Sequence, residues 1–152
     1  MRAALAALVA LAVACTASGD PVAAYLDRLE QTLIAGADAI REVVPPRTAV
    51  TRTQVVEVTE RRRATLVQLE GLRPPPDLGP EHTALVSTYT ALVDASQAFL
   101  DATAGLAPDE FEEALVSSVE VGAAQDLFQT ACQAMADRAA ALGHEVALDC
   151  SG

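Results

Sequence analysis

The chain has no lysine and no tryptophan, and its aromatic side chains make up only 3% of 152 residues. Scarce aromatics, abundant alanine and long segments of helical period exclude a strand-rich fold and point to helices. Without lysine, every positive charge is an arginine, and ten of them stand against 21 acids, a formal net charge of −11. That balance excludes nucleic acid and anionic headgroups as partners, because phosphate contact needs clustered cations. It favours solubility and cationic partners. There are two histidines and no Glu-x-x-His, so the di-metal carboxylate bundle is excluded. Copper held by methionines is excluded too, since Met135 is the only methionine besides Met1. Gly-x-Ser-x-Gly, the phosphate loop and His-Glu-x-x-His are all missing. No apolar stretch reaches the roughly 20 residues of a membrane span.

What is present begins at the N-terminus. Arg2 leads a short apolar run, Ala3 to Ala14, and Cys15 follows the small-residue stretch Ala12-Val13-Ala14. A basic start, a short apolar run and small residues at a cut are the parts of an export signal. With cysteine next, the segment resembles the leader of a bacterial lipoprotein. It departs from that pattern at Ala12, where leucine is usual, and Leu11 comes one place early. The same three small residues also fit the cleavage site of a plainly secreted chain, and the run is too short to serve comfortably as an uncleaved anchor. The resemblance implies a signal peptide over 1–14 and acyl chains such as palmitate on Cys15. It implies a tether over 15–19 and a location on the extracytoplasmic face of the cell membrane. Residues 20–152 then form one helical domain, an expected length for one core. The arginine, alanine and valine richness resembles the codon bias of a GC-rich bacterium such as an actinobacterium.

Four long helical segments are punctuated clearly. Asp20-Pro21 reads as an N-cap with proline at the first helical position. Val22, Leu26, Leu29, Leu33, Ile40 and Val44 form one stripe, and Pro45-Pro46 stops the helix. Thr51 and Gln54 have capping-box spacing and open a second helix to about Leu72, with Val55, Val58, Leu66 and Leu69 inward. Gly71 and Pro74-Pro75-Pro76 end it. A third helix starts near Pro80 and turns Leu85, Tyr89, Leu92, Ser96 and Phe99 to one side. Gly105 and Pro108 close it. The last segment starts at Asp109. Its stripe of Phe111 and Leu115 is out of phase with that of Phe128, Cys132, Met135, Ala139 and Leu142, which predicts a kink or break near Gly122. Gly143 caps the end. The fold class expected is all-α, an antiparallel four-helix bundle with a kinked or broken last helix.

Lipidation of Cys15 would leave Cys132 and Cys150 to pair, and disulfides persist outside the cytoplasm. About ten residues of helix follow Cys132, a climb of roughly 15 Å. The tail from Glu145 to Cys150 retraces it if extended, with Val146 and Leu148 on the side facing the helix. A redox pair is the alternative, but close C-x-x-C spacing and an adjacent basic residue are both lacking. The helix–tail arrangement resembles small actinobacterial exported helical proteins of no assigned activity.

Few residues carry chemistry. His82 and His144 lie near helix ends and read as solvent-exposed, with His144 favourable at a helix C-terminus. Asp109, Glu110, Glu112 and Glu113 read as carboxylates at a helix N-terminus. Arg61-Arg62-Arg63 is different. Three consecutive helical residues span about 200° of the wheel. Val58, Arg62, Leu66 and Leu69 share a stripe, so Arg62 faces the interior. A buried guanidinium needs partners. Helix counting brings Tyr89 level with Arg62 and places Glu120 or Asp126 within reach. This predicts an internal ion pair, a long side chain reaching water, or a mid-bundle pocket in which Arg62, with Tyr89, Asp126 and Glu120 around it, holds a carboxylate or phosphate. No catalytic set, cofactor or metal site emerges. The expectation is a non-catalytic, membrane-anchored lipoprotein acting as a binding or accessory module for an unidentified protein or small molecule. A purely structural cell-envelope protein is the alternative.

Overall fold

The computed structural model describes residues 19–44 and 49–151. The leader over 1–14, the lipidation site Cys15 and the Pro45-Pro46 stop lie outside the described residues. All regular structure among the described residues is helical. The α-helices are α1 (Pro21–Val43), α2 (Arg52–Gly71), α3 (Gly79–Ala102), α4 (Pro108–Val116) and α5 (Val119–Ala141), with a 3-10 turn at Pro76–Leu78.

The helix ends are set by local chemistry. The Asp20 carboxylate accepts from the backbone N–H of Val22 at 2.9 Å, and Pro21 follows at the first helical position. Thr51 and Gln54 form the full capping box. At the other end of the chain Gly143 adopts a positive φ of 86°, which a residue without Cβ takes at no steric cost. The Glu110 carboxylate accepts from the Ala107 N–H at 3.0 Å, so part of the acidic run caps α4.

The segment expected to kink near Gly122 is divided earlier, at Ser117-Ser118. Ser118 caps α5 by accepting from the Val121 N–H, and Gly122 lies within that helix. The break lets both stripes face inward. Phe111 is buried from α4, while Phe128, Cys132, Met135 and Ala139 are buried from α5.

α1 packs on α2, α2 on α3, and α3 on α5. The larger core gathers Leu29, Leu33, Leu69, Leu85, Tyr89, Leu92, Phe128 and Met135. A smaller cluster of Val55, Leu100 and Phe111 lies under α4. Arg52 joins α2 to the end of α3: its guanidinium donates to the carbonyls of Leu100 and Thr103 and stacks on Phe111, 4.6 Å from the ring centre. It thereby supplies cationic donors to a helix C-terminus, where they are favourable.

The tail after α5 bridges α5 and α1. Cys132 and Cys150 are joined as a disulfide, and Val146 and Leu148 pack against the larger core. His144 lies 3.4 Å from the Asp20 carboxylate, and Arg41 pairs with Asp149. The Gln125 amide donates to the Ser151 carbonyl at 3.1 Å.

Candidate functional site

Arg62 emerges from the middle of α2 and is half-buried. One guanidinium nitrogen donates to Ser96 Oγ on α3 at 3.0 Å, another to Gln125 Oε1 on α5 at 3.4 Å. The Ser96 hydroxyl donates in turn to the Leu92 carbonyl at 2.8 Å, so its oxygen is left facing Arg62. Arg62 is thus aimed by two helices besides its own. Burial pulls its pKa below the usual value, opposed by Tyr89, yet a guanidinium stays charged at any physiological pH.

Tyr89 is buried, with its ring edge-on to Phe128 at 4.8 Å. Burial pushes its phenol up, while a hydrogen bond with Thr65 and the Arg62 charge act in the opposite direction. The structure therefore brings Arg62 and Tyr89 together. Glu120 and Asp126 are exposed on α5, and the bond from Arg62 to that helix ends on Gln125, the residue before Asp126. Asp126 instead lines an open depression beside Cys150 and Ser151. The flanking arginines face outward: Arg61 pairs with Glu57 at 3.0 Å, and Arg63 pairs with Glu60 and reaches Gln97 at 2.6 Å.

Beside Arg62 is a cavity of about 240 Å³. Its walls are Ile40 of α1 and Val44 just after it, Val55 and Val58 of α2, Phe99 of α3, Leu115 of α4 and Val121 of α5, with Val50 ahead of α2. Arg62 and Ser96 are its polar members. The cavity lies where the two hydrophobic clusters meet: Val121 packs on the larger one, and Val50, Phe99 and Leu115 on the smaller. Such a site, mostly apolar with a few aimed polar groups, has the make-up of a small-molecule pocket.

His82 corrects the sequence reading. It is buried, not solvent-exposed, because its Nδ1 shares a 2.8 Å hydrogen bond with the buried hydroxyl of Tyr25, 57 residues away. Burial lowers the pKa of His82 and pushes the Tyr25 phenol up. His144 is half-buried at the end of α5 against Asp20. Among the described residues no three His, Cys, Asp or Glu side chains converge as metal ligands, and no helix is long and apolar enough to cross a membrane.

Sequence reasoning missed Ser96 and Gln125 as the partners of Arg62. Ser96 was already on the inward stripe of α3, which was a usable signal. Gln125 became legible only once Ser118 had set the phase of α5. No protein-family model matches the chain, and no curated protein or solved structure shows significant similarity to it.

Proposed function

We propose that this chain is a non-catalytic lipoprotein, held on the outer face of the cell membrane through lipid on Cys15. Its role in this reading is to bind a small anionic molecule in the Arg62 cavity. The observation that carries the reading is the cavity itself: one oriented guanidinium at the edge of apolar walls, aliphatic but for Phe99, drawn from all five helices. The disulfide between Cys132 and Cys150 supports an oxidising compartment. Part of the same reading is that the four long helices run antiparallel as a bundle. The Arg52 bonds to the end of α3 and the His144–Asp20 contact support it. The cavity then lies at the end far from the tether.

A second reading, an accessory or structural envelope protein whose surface does the work, is favoured by Val116 and Val119. They flank the α4–α5 turn and are 85% and 75% exposed.

The test is the mass of the protein extracted from its own membrane, first native and then denatured. The denatured chain is expected to begin at Cys15 and carry acyl groups. The native particle is expected to carry an added small molecule lost on denaturation. A denatured chain without lipid would remove the anchor. A native mass equal to the denatured one would remove the ligand and leave the surface reading.

A further inference from the structure

We infer that the corner between α4 and α5 docks a cationic amphipathic segment of a partner protein, with one arginine or lysine side chain lying in the crevice beside Ser118 and Glu120. This rests on the second reading above, in which the surface does the work, and names what that surface takes.

Apolar surface flanks the α4–α5 turn on both sides. Val116 ends α4 and Val119 opens α5, at 85% and 75% exposure, with only Ser117 and Ser118 between them. A lone exposed valine needs no explanation, whereas grouped apolar surface marks a contact site. Gly122 and Ala123 lie one turn further along α5 from Val119 and are exposed too. They carry almost no side chain, so a partner's backbone can come close to Val119 from that side.

A crevice of about 310 Å³ runs beside the turn, between α3 and the start of α5. Ala95, Ala98, Phe99 and Ala102 line it from α3, and Ser118 and Glu120 from the other side. Spacings of three and four residues put the alanines on one face of α3. Their methyl groups fill little of the space between the helices, which leaves the crevice open. The Ser118 hydroxyl is already engaged with the Val121 N–H, and Glu120 is exposed at the rim. An apolar trough that ends on one carboxylate matches a side chain with a hydrocarbon stem and a charged tip, as arginine and lysine have. A purely aliphatic side chain would leave Glu120 unmet, and an acidic one would be repelled by it.

Charge fixes the kind of partner. The chain has no arginine between Arg73 and Arg138. Asp94 and Asp101 share the face of α3 that carries Ala98, and Glu112 and Glu113 lie one turn before Val116 on α4. All four are exposed, and among the described residues no cation pairs with them or with Glu120. Apolar side chains bordered by uncompensated acids complement a segment with apolar residues bordered by cations. A second copy presenting the same corner would set acid against acid.

The test uses the full chain in phosphatidylcholine nanodiscs at physiological ionic strength, where exposed charges more than about 8 Å apart are largely screened. The probe is a dye-labelled amphipathic peptide with leucine on one face and arginine along its borders, and empty discs are the blank. Affinity is read by fluorescence anisotropy and the contact by hydrogen exchange, with protection expected over residues 112–123. Val116→Ser combined with Val119→Ser is expected to weaken binding by about tenfold. Glu120→Gln is expected to weaken it by about threefold. Ala98→Leu, which fills the crevice without touching a charge, should weaken it at least as much as Glu120→Gln. Asp27→Asn removes the same charge from an exposed site on α1 and should leave affinity unchanged.

Equal binding of a peptide with serine in place of leucine would overturn the inference and leave a general attraction of an acidic chain for basic ones. Equal binding of a peptide with glutamine in place of arginine would overturn the cationic assignment and leave an apolar patch. No binding by any peptide would overturn the inference outright. A photo-crosslinking residue at position 119, used in the source membrane, checks the surface reading separately. Crosslinks there without peptide binding would remove the cationic segment and keep the surface reading, and the lack of both would remove the two together.

Discussion

At the scale of single residues, the interior is organised by side chains whose sequence context hides them. Gly36 faces Thr65 so closely that a Cβ on Gly36 would lie 2.6 Å from the threonine hydroxyl. Thr65 is β-branched and cannot swing away cheaply, because its hydroxyl also donates to the Arg61 carbonyl at 3.1 Å. Gly36→Ala is therefore expected to destabilise the fold by about 1–2 kcal/mol: overpacking costs about 1–3, and the helical gain of alanine returns about 0.5–1. In a Thr65→Ala background the same change should become neutral or stabilising, a reversal that urea unfolding of the four proteins would reveal. His82 makes a second prediction. Its folded pKa is depressed by burial, so below the unfolded value of about 6.5 the unfolded chain takes up a proton that the folded chain resists. Its contribution is full above that pH and is lost as pH falls below it. Melting temperature should drop between pH 7 and 5, and His82→Gln should flatten that drop. A variant with an unchanged slope would show that the Tyr25–His82 pair does not titrate on unfolding. Neither feature was legible in sequence, because each depends on which distant residue arrives opposite. Arg62 was legible, because its place between Val58 and Leu66 is a matter of helical phase alone.

At the scale of elements, much more was legible. Asp20-Pro21, the Thr51–Gln54 box and Gly143 mark helix ends by chemistry that acts within four residues, and the helices begin and end there. The out-of-phase stripes in the last segment signalled an interruption, but its place was set by Ser118, whose hydroxyl competes for the Val121 N–H. α2 was the hardest to read. Its buried face includes Thr59 and Thr65, whose hydroxyls bond back to carbonyls four residues earlier. A threonine satisfied within its own helix can turn its methyl to the core, and a hydrophobic pattern does not register it. The tail is held as much by chemistry as by packing. Reduction, or Cys150→Ser, should lower stability by about 3 kcal/mol, measured by chemical unfolding with and without reductant. A loss below 1 kcal/mol would mean that Val146, Leu148 and the Arg41–Asp149 pair hold the tail unaided. The Asp149 carboxyl is held below its usual range by the Ser151 hydroxyl and by Arg41. That contribution persists above the ordinary carboxylate range and fades only in acid.

At the scale of the whole molecule, the cavity is a product of assembly. Its walls come from five helices, no two neighbouring helices define it, and it opens where the core under α4 fails to merge with the larger core. Helical phase put an arginine inside, but the space next to it follows from the α4–α5 break, and so escaped the sequence. Arg62, held by Ser96 and Gln125, is the one charged side chain among the described residues that line the cavity, while Glu120 and Asp126 lie exposed on α5. The most direct measurement compares native masses of the wild-type and Val58→Phe proteins drawn from the same membrane. A small added mass on the wild type, missing from the folded variant, is the predicted result. The same added mass on both, or on neither, would contradict a ligand held in the Arg62 cavity.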